Sequence, residues 1–476
     1  MQDKISKVNE KRWIILLTTV LLTFMTTLDS SIVNVALPVM SEKLSVSMAA
    51  TGWVVTSYLI VIVGTILIFG RLGDTIGKSK IFKIGIVIFT LGSLFCGISS
   101  NLGVLVIGRV IQAVGAAGVM ATNQGIITNV FPANERGRAL GLNGTFVALG
   151  AMVGPPLGGV IVAALKWEYI FLINVPIGII AFILAMNTLP KNDEVTKEPL
   201  DVCGAILFAI SVVALFGAVV QGQEIGYNNK FIIGAFILAV VAFIAFIYAE
   251  KKSSMPLLQL DIFKNKLFSL SIICGFIAFV AIGSSNIIMP YFLQYVRALS
   301  PSVTGLLLMV SPMILAVVAP LSGYVSDKVG AESLTFVGLI LTSAGLALIG
   351  TSTQTSPIIF LLLFIALMTL GNGMFQSPNN SLVMSTVPNN KLGIAGSINA
   401  LVRNLGMVFG ISLSTTLLYN RMSSKIGYHV TNYVNGRADI FLYGMKWVYF
   451  SAAVICALGA ALTAYRIFGF KGKKTK

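Results

Sequence analysis

The sequence predicts an all-α integral membrane fold of fourteen transmembrane helices, arranged as two six-helix halves with an inserted pair between them. Three observations carry this. Only 11% of the 476 residues are charged while 56% are hydrophobic, whereas an ordinary soluble domain carries roughly 25% charged residues. The apolar residues fall in runs near the roughly 20 residues that a helix needs to cross a bilayer core of about 30 Å. Several short motifs of the first half also return in the second in one register, as expected of transporters built from repeats.

Scanned at that length, the chain shows spans near 13–35, 52–70, 81–99, 102–124, 139–165, 168–189, 201–221, 231–249, 267–290, 303–325, 333–351, 357–379, 393–419 and 445–468. The first follows a basic segment, "MQDKISKVNEKRW", but is longer than the apolar core of a cleaved signal and is read as the first membrane helix. An even number of spans puts both termini on one side. With the termini inside, the inner segments hold 23 Lys and Arg residues and the outer ones 8, so both termini are expected in the cytoplasm. Most of the +16 net charge is then topology and lipid contact, and no nucleic-acid partner is expected, because no basic soluble face exists.

Next comes the repeat. "GRLGDTIGK" from Gly70 is echoed by "GYVSDKVGA" from Gly323. "FPANERGRALGLNG" from Phe131 is echoed by "VPNNKLGIAGSINA" from Val387, and the same offset pairs Gly150 with Gly406 and Gly154 with Gly410. Residues 1–190 and 262–476 are therefore read as the two halves, and 191–261 as an inserted helix pair with its linkers.

Chemistry is sparse. The four cysteines, Cys96, Cys203, Cys274 and Cys456, lie in apolar runs without metal or disulfide spacing and are expected to pack in the core, and His429 stands alone in a polar loop. No metal site is expected. Nor is an enzyme: there is no GxxxxGK[ST], no HExxH and no soluble domain to hold a site. Two charges stand out. Asp29 lies in the first span and Arg109 in the fourth, where an ionisable group is a functional candidate by default. Asp29 is about 25 Å along a helix rising from the inside, and Arg109 about 12 Å down one entering from the outside, so the two are expected to face each other in the outer half. The proton affinity of such a carboxylate depends on its distance from the arginine and on its hydration, which suits a proton-coupling pair. Asn34, Gln124, Asn143, Asn286, Gln294, Gln376, Asn399 and Arg403 are further cavity candidates.

"LDSSIVNVALP" (Leu28 to Pro38), "GRLGDTIGKSK" (Gly70 to Lys80), "RVIQAVG" (Arg109 to Gly115) and "GAMVGPPLGG" (Gly150 to Gly159) together resemble the motifs of the major facilitator superfamily, in particular its fourteen-helix drug:proton antiporters. Thr75, Ser79 and Ala113 depart from the usual residues, and the fifth-helix motif fits without departure. The resemblance implies the major facilitator fold and proton-driven multidrug or quaternary-ammonium efflux by alternating access. It further implies a lipophilic or cationic small-molecule substrate, no cofactor beyond the proton gradient, and a bacterial plasma membrane; a monomer is expected. It implies an antiporter motif at Gly150, Gly154, Pro155, Gly158 and Gly159, and a cytoplasmic gate at Gly70, Arg71, Asp74, Gly77, Lys78 and Arg136.

Physics supports these assignments separately. Gly150, Gly154 and Gly158 share one helix face that lets a neighbouring backbone approach, while Pro155 and Pro156 remove backbone donors and should bend that helix. Asp74, at the end of the second span, has Arg71, Lys78 and Arg136 as possible partners. One charge crossing 100 mV supplies about 2.3 kcal/mol and one pH unit about 1.4 kcal/mol, enough to hold a neutral substrate at a several-hundredfold gradient. The rival readings are a proton-coupled nutrient or metabolite transporter and a lipid or cell-wall precursor flippase. The latter would use Arg109 and Arg403 to recognise an anion.

Overall fold

The computed structural model describes residues 2–190, 201–253, 256–388 and 392–471. The linker 191–200, which opens the predicted insert, lies outside the described residues. Among the described residues there is no strand; a 3-10 turn at Leu260–Lys264 and a π turn at Phe292–Val296 join a set of α-helices. Fourteen are long and apolar enough to cross a membrane. They are α1 (Arg12–Lys43), α2 (Met48–Ile76), α3 (Lys78–Gly97), α4 (Leu102–Val130), α5 (Arg138–Ala164), α6 (Tyr169–Thr188) and α7 (Val202–Ile225). The rest are α8 (Lys230–Lys252), α9 (Lys266–Val296), α10 (Pro301–Ser326), α11 (Ala331–Ile349), α12 (Ile358–Ser385), α13 (Ile394–Ile426) and α14 (Ala438–Ile467).

The chain forms two compact units, one of residues 1–46, 53–215 and 234–257, the other of 47–52, 216–233 and 258–476. The inserted helices α7 and α8 thus contribute to both, with the hairpin joining them in the second unit. In the first unit, α3 and α4 approach through glycine. A Cβ on Gly85 would sit 2.8 Å from the carbonyl oxygen of Gly115, and Gly92 lies directly against the backbone of Gln112. Such contacts replace the hydrophobic drive that is absent between helices in lipid. α5 packs on α1 through Gly150, Gly154 and Gly158, with the Gly150 position 2.7 Å from the Phe24 carbonyl oxygen and the Gly158 position 2.9 Å from that of Ile32. The predicted glycine face is therefore a contact inside one unit. α5 runs as a continuous helix through Pro155 and Pro156.

The second unit repeats this packing. A Cβ on Gly338 of α11 would sit 2.6 Å from the Gly371 carbonyl oxygen, Gly345 lies against the Met368 backbone, and a Cβ on Gly406 of α13 would sit 2.8 Å from the Phe276 carbonyl oxygen of α9. The echoed loop motifs also agree in backbone: Gly77 has φ +106° and Gly330 φ +93°. Both lie where a Cβ is strained, which explains a glycine at each.

Some expectations need correction. α13 continues to Ile426, so the connection read from the sequence as running from Asn420 to Gly444 is shorter; "NRMSSKI" stays helical after its hydropathy has dropped. Cys96, Cys274 and Cys456 are buried, but Cys203 is exposed on α7, as an apolar thiol facing lipid can be. Arg466, counted from the sequence as a flanking charge, is 1% exposed. It donates to Ser271 Oγ at 3.0 Å and Thr335 Oγ1 at 2.5 Å, because α14 packs its last turns against hydroxyl-bearing faces of α9 and α11.

Ser47 caps α2 by accepting from Ala50 N at 2.9 Å, and donates to Glu224 Oε1 at 2.5 Å. Met48 N donates to Asn432 Oδ1 at 3.1 Å and Ala49 N to the Thr431 carbonyl at 3.3 Å. Tyr433 of the same loop stacks on Tyr295 at 5.4 Å. The α13–α14 connection is thus a built element of the second unit.

Candidate functional site

Five helices of the first unit converge on Asp29. The carboxylate is 0% exposed and Arg109 1%. Arg109 Nη1 donates to Asp29 Oδ2 at 2.7 Å, while Oδ1 accepts from Gln112 Nε2 at 2.8 Å and from Asn174 Nδ2 at 2.7 Å. Arg109 also donates from Nη1 to Gln112 Oε1 at 2.6 Å and from Nε to the Val54 carbonyl at 2.9 Å. Gln112 donates onward to Ser93 Oγ at 2.8 Å. The guanidinium lies 4.0 Å over the centre of the Tyr58 ring, a favourable cation–π placement. Arg109 and Gln112 are three residues apart on α4 and therefore share a face. Gly92 lets α3 approach closely enough for Ser93 to reach them.

A charge pair at this depth is sustained when hydrogen bonds satisfy the remaining lone pairs and protons. Here three N–H donors reach the Asp29 carboxylate, two on Oδ1 and one on Oδ2. One group stands ready for change: the Asn174 Oδ1 atom is buried without a partner, whereas no acceptor faces Asp29 among these contacts. A protonated Asp29 would have to find one.

The other candidates are distributed more widely. Asp74 Oδ1 pairs with Lys78 Nζ at 2.7 Å across the Gly77 junction between α2 and α3. Arg136 donates to the Phe131 carbonyl at 2.9 Å on its own segment. Gly70 has open space around it, whereas Gly73 is the close-packed glycine of that motif, where a Cβ would sit 2.9 Å from Thr122 Cγ2. Asn143 joins a second polar knot, accepting at Oδ1 from Thr23 at 3.1 Å and Asn123 at 2.9 Å. Gln124 is exposed, Asn34, Asn286 and Gln294 are half-buried, Gln376 bonds Asn372 at 3.2 Å, and Asn399 bonds Asn380 at 2.8 Å. Arg403 is half-buried and has no hydrogen-bond or ring partner.

Gln112, Asn174, Ser93 and Tyr58 are the residues of this site that reading the sequence missed. Gln112 lies inside the quoted "RVIQAVG", and Asn174 is an isolated amide in an apolar span; each was visible as a polar residue out of place. In the second unit the apolar Met368 lies against Gly345 as Gln112 lies against Gly92 in the first.

The family model of the Major Facilitator Superfamily matches residues 19–411. The chain belongs to this superfamily. The Riboflavin transporter RibZ of Clostridioides difficile (strain 630) is 36% identical over 96% of this chain and 98% of that protein. Multidrug resistance protein Stp of Mycobacterium tuberculosis is 31% identical over 89% of this chain and 79% of that one. Multidrug resistance protein 3 of Bacillus subtilis (strain 168) is 29% identical over 84% and 78%. Among solved structures, the xylose transporter XylE from E. coli, in a partially occluded inward-open conformation, matches at TM-score 0.63 and 16% identity, covering 94% of this chain and 97% of that one. A bacterial homologue of the human lysosomal transporter Spinster, inward-facing and occupied, matches at TM-score 0.62 and 16% identity, covering 94% and 95%. These two likenesses establish the fold alone. This superfamily member is a many-span membrane transporter and not an enzyme.

Proposed function

We propose that this superfamily member is a proton-coupled antiporter of the bacterial plasma membrane that exports lipophilic compounds, drugs among them, by alternating access. The observation that carries the reading is the convergence on Asp29 of three donors from α4 and α6. A proton on Asp29 would weaken its charge-assisted bonds to Arg109, Gln112 and Asn174, so the proton and the packing of α4 and α6 on α1 are linked. Turning the Asn174 amide over would offer its unpartnered Oδ1 to the new O–H, giving the neutral acid a partner. The multidrug resistance proteins among its relatives support the choice of substrate. The Asp74–Lys78 cluster would then belong to the cytoplasmic gate, with the termini on that side.

The test is exchange in proteoliposomes with an imposed pH gradient, following ethidium or riboflavin movement together with internal pH. Wild type is expected to move substrate against protons and Asp29→Asn to lose the proton flux; equal proton flux in both would remove Asp29 from the mechanism. Asn174→Leu is expected to retain exchange while displacing its pH profile by about one unit, because the amide acts only through Asp29; an unchanged profile would limit Asn174 to packing.

A second reading, transport of riboflavin or a similar metabolite, is favoured by one observation. RibZ matches over 98% of its length, whereas Stp matches over 79%. Riboflavin as the preferred substrate, with ethidium not moved, would decide for it.

A further inference from the structure

Arg403 differs from every other described arginine of this chain. Arg12 pairs with Glu135, Arg297 and Arg136 hold carbonyls, Arg437 holds Asp439, and Arg421 lies over Trp447. Arg403 has neither ion pair, hydrogen bond nor ring contact. It stands on α13 about nine residues from one end and about 23 from the other, roughly 14 Å and 35 Å along the helix. Snorkelling serves charges near helix ends, and this one is well inside.

The acids of the membrane spans give that cation no counter-charge. Asp29 is committed to Arg109, Gln112 and Asn174. Glu42, Asp74, Glu224, Glu250, Glu332 and Asp439 all stand in the first or last turn of their helices. Among the described residues, the spans of the second unit therefore hold no carboxylate away from their end turns, and α13 holds an unpartnered guanidinium with its planar fork of donors. One turn before Arg403, Asn399 bonds Asn380 on α12, so the same stretch of α13 carries polar groups toward a neighbouring helix. Phe276 lies beside this region, since the Gly406 position meets its carbonyl oxygen and its ring is 5.6 Å from that of Phe409.

We propose that Arg403 is the group that recognises the transported molecule, and that the substrate class is anionic or carbonyl-rich aromatic compounds and not cations. This rests on the transport reading and narrows it. A guanidinium held without a partner is matched by a carboxylate, sulfonate, phosphate or imide carbonyl, which it binds through two parallel N–H donors. A cation entering the same interior would meet Arg403 with no carboxylate to offset it.

The test is binding to the purified full-length protein in zwitterionic nanodiscs, read by fluorescence anisotropy with three probes: fluorescein as an anion, riboflavin as a neutral imide and ethidium as a cation. Wild type is expected to bind fluorescein and riboflavin at least about tenfold more tightly than ethidium. Arg403→Gln and Arg403→Met are expected to weaken fluorescein about tenfold or more, and Arg403→Lys to retain most of it. The Met variant guards against a folding artefact. Removing an unpartnered charge orphans nothing, so it is expected to melt at or above the wild-type temperature, whereas a structural arginine would lower it. Preference for ethidium, or unchanged fluorescein binding in both neutral variants, overturns the proposal. So does an effect of Arg403 seen only as lost phosphatidylglycerol retention, which would make its partner a lipid phosphate. Coupling fails separately: Arg403-dependent binding with no Asp29-dependent proton flux would refute the antiport reading and leave the recognition group in place.

Discussion

Arg109→Leu is expected to destabilise the first unit by about 3–5 kcal/mol, the usual result of removing one partner from a buried ion pair. The loss is large because Asp29 would keep its charge with two amide donors and no counter-ion, and because the Val54 carbonyl would lose its donor as well. The double variant Asp29→Asn/Arg109→Gln separates packing from charge. Its Asn can still accept from Gln112 and Asn174 and donate to the new Gln, so most of the thermal stability is expected to return. Proton exchange is not, since no titratable group remains. Thermal unfolding followed by tryptophan fluorescence gives the first quantity and pH-driven substrate movement the second. A double variant that exchanges protons at the wild-type rate would show that the pair is a packing device; an Arg109→Leu protein that melts like wild type would show that the pair is not closed in the membrane.

How much of this was legible in the sequence follows from how each feature is encoded. The fourteen spans are, because hydropathy over about 20 residues is nearly sufficient for a membrane helix. Span ends are not: α4 runs on through "GIITNV" to Val130, and α13 through the polar "NRMSSKI" to Ile426, past the length a bilayer core requires. The repeat is legible through its glycines, of which Gly150 and Gly406 mark a backbone approach and Gly77 and Gly330 a positive φ, while Gly70 has open space around it. Asp29 and Arg109 are legible because a charge in an apolar run has to be explained. Gln112 and Asn174 are not, because an amide costs little enough in a membrane helix to occur for packing alone. Which amides meet the carboxylate depends on how α3, α4 and α6 are rotated against α1, and that rotation is set by Gly92 and its neighbours and not by any local pattern.

The glycine face of α5 gives the second large effect, with a contrast inside it. A Cβ on Gly150 meets the Phe24 carbonyl oxygen at 2.7 Å, and a backbone oxygen cannot turn aside. At Gly154 the obstacle is the hydroxyl of Ser31, a side chain that bonds the Gly150 and Leu28 carbonyls and is able to rotate. Gly150→Ala is therefore expected to push α1 and α5 apart at a cost of about 1–3 kcal/mol, and to disturb Asp29, which lies in the chain between Phe24 and Ile32 and is held from the other side of α1 by α4 and α6. Gly154→Ala is expected to be milder and to be rescued by Ser31→Ala. Gly144→Ala, with open space around the same helix, should be neutral or gain a few tenths of a kcal/mol from helix propensity. Melting temperatures rank the three, and proton-coupled transport should fall in the same order. A Gly150→Ala protein of normal stability that has lost transport would instead mean that α1 must slide along this face during the cycle, which would make the glycines part of the motion as well as of the packing.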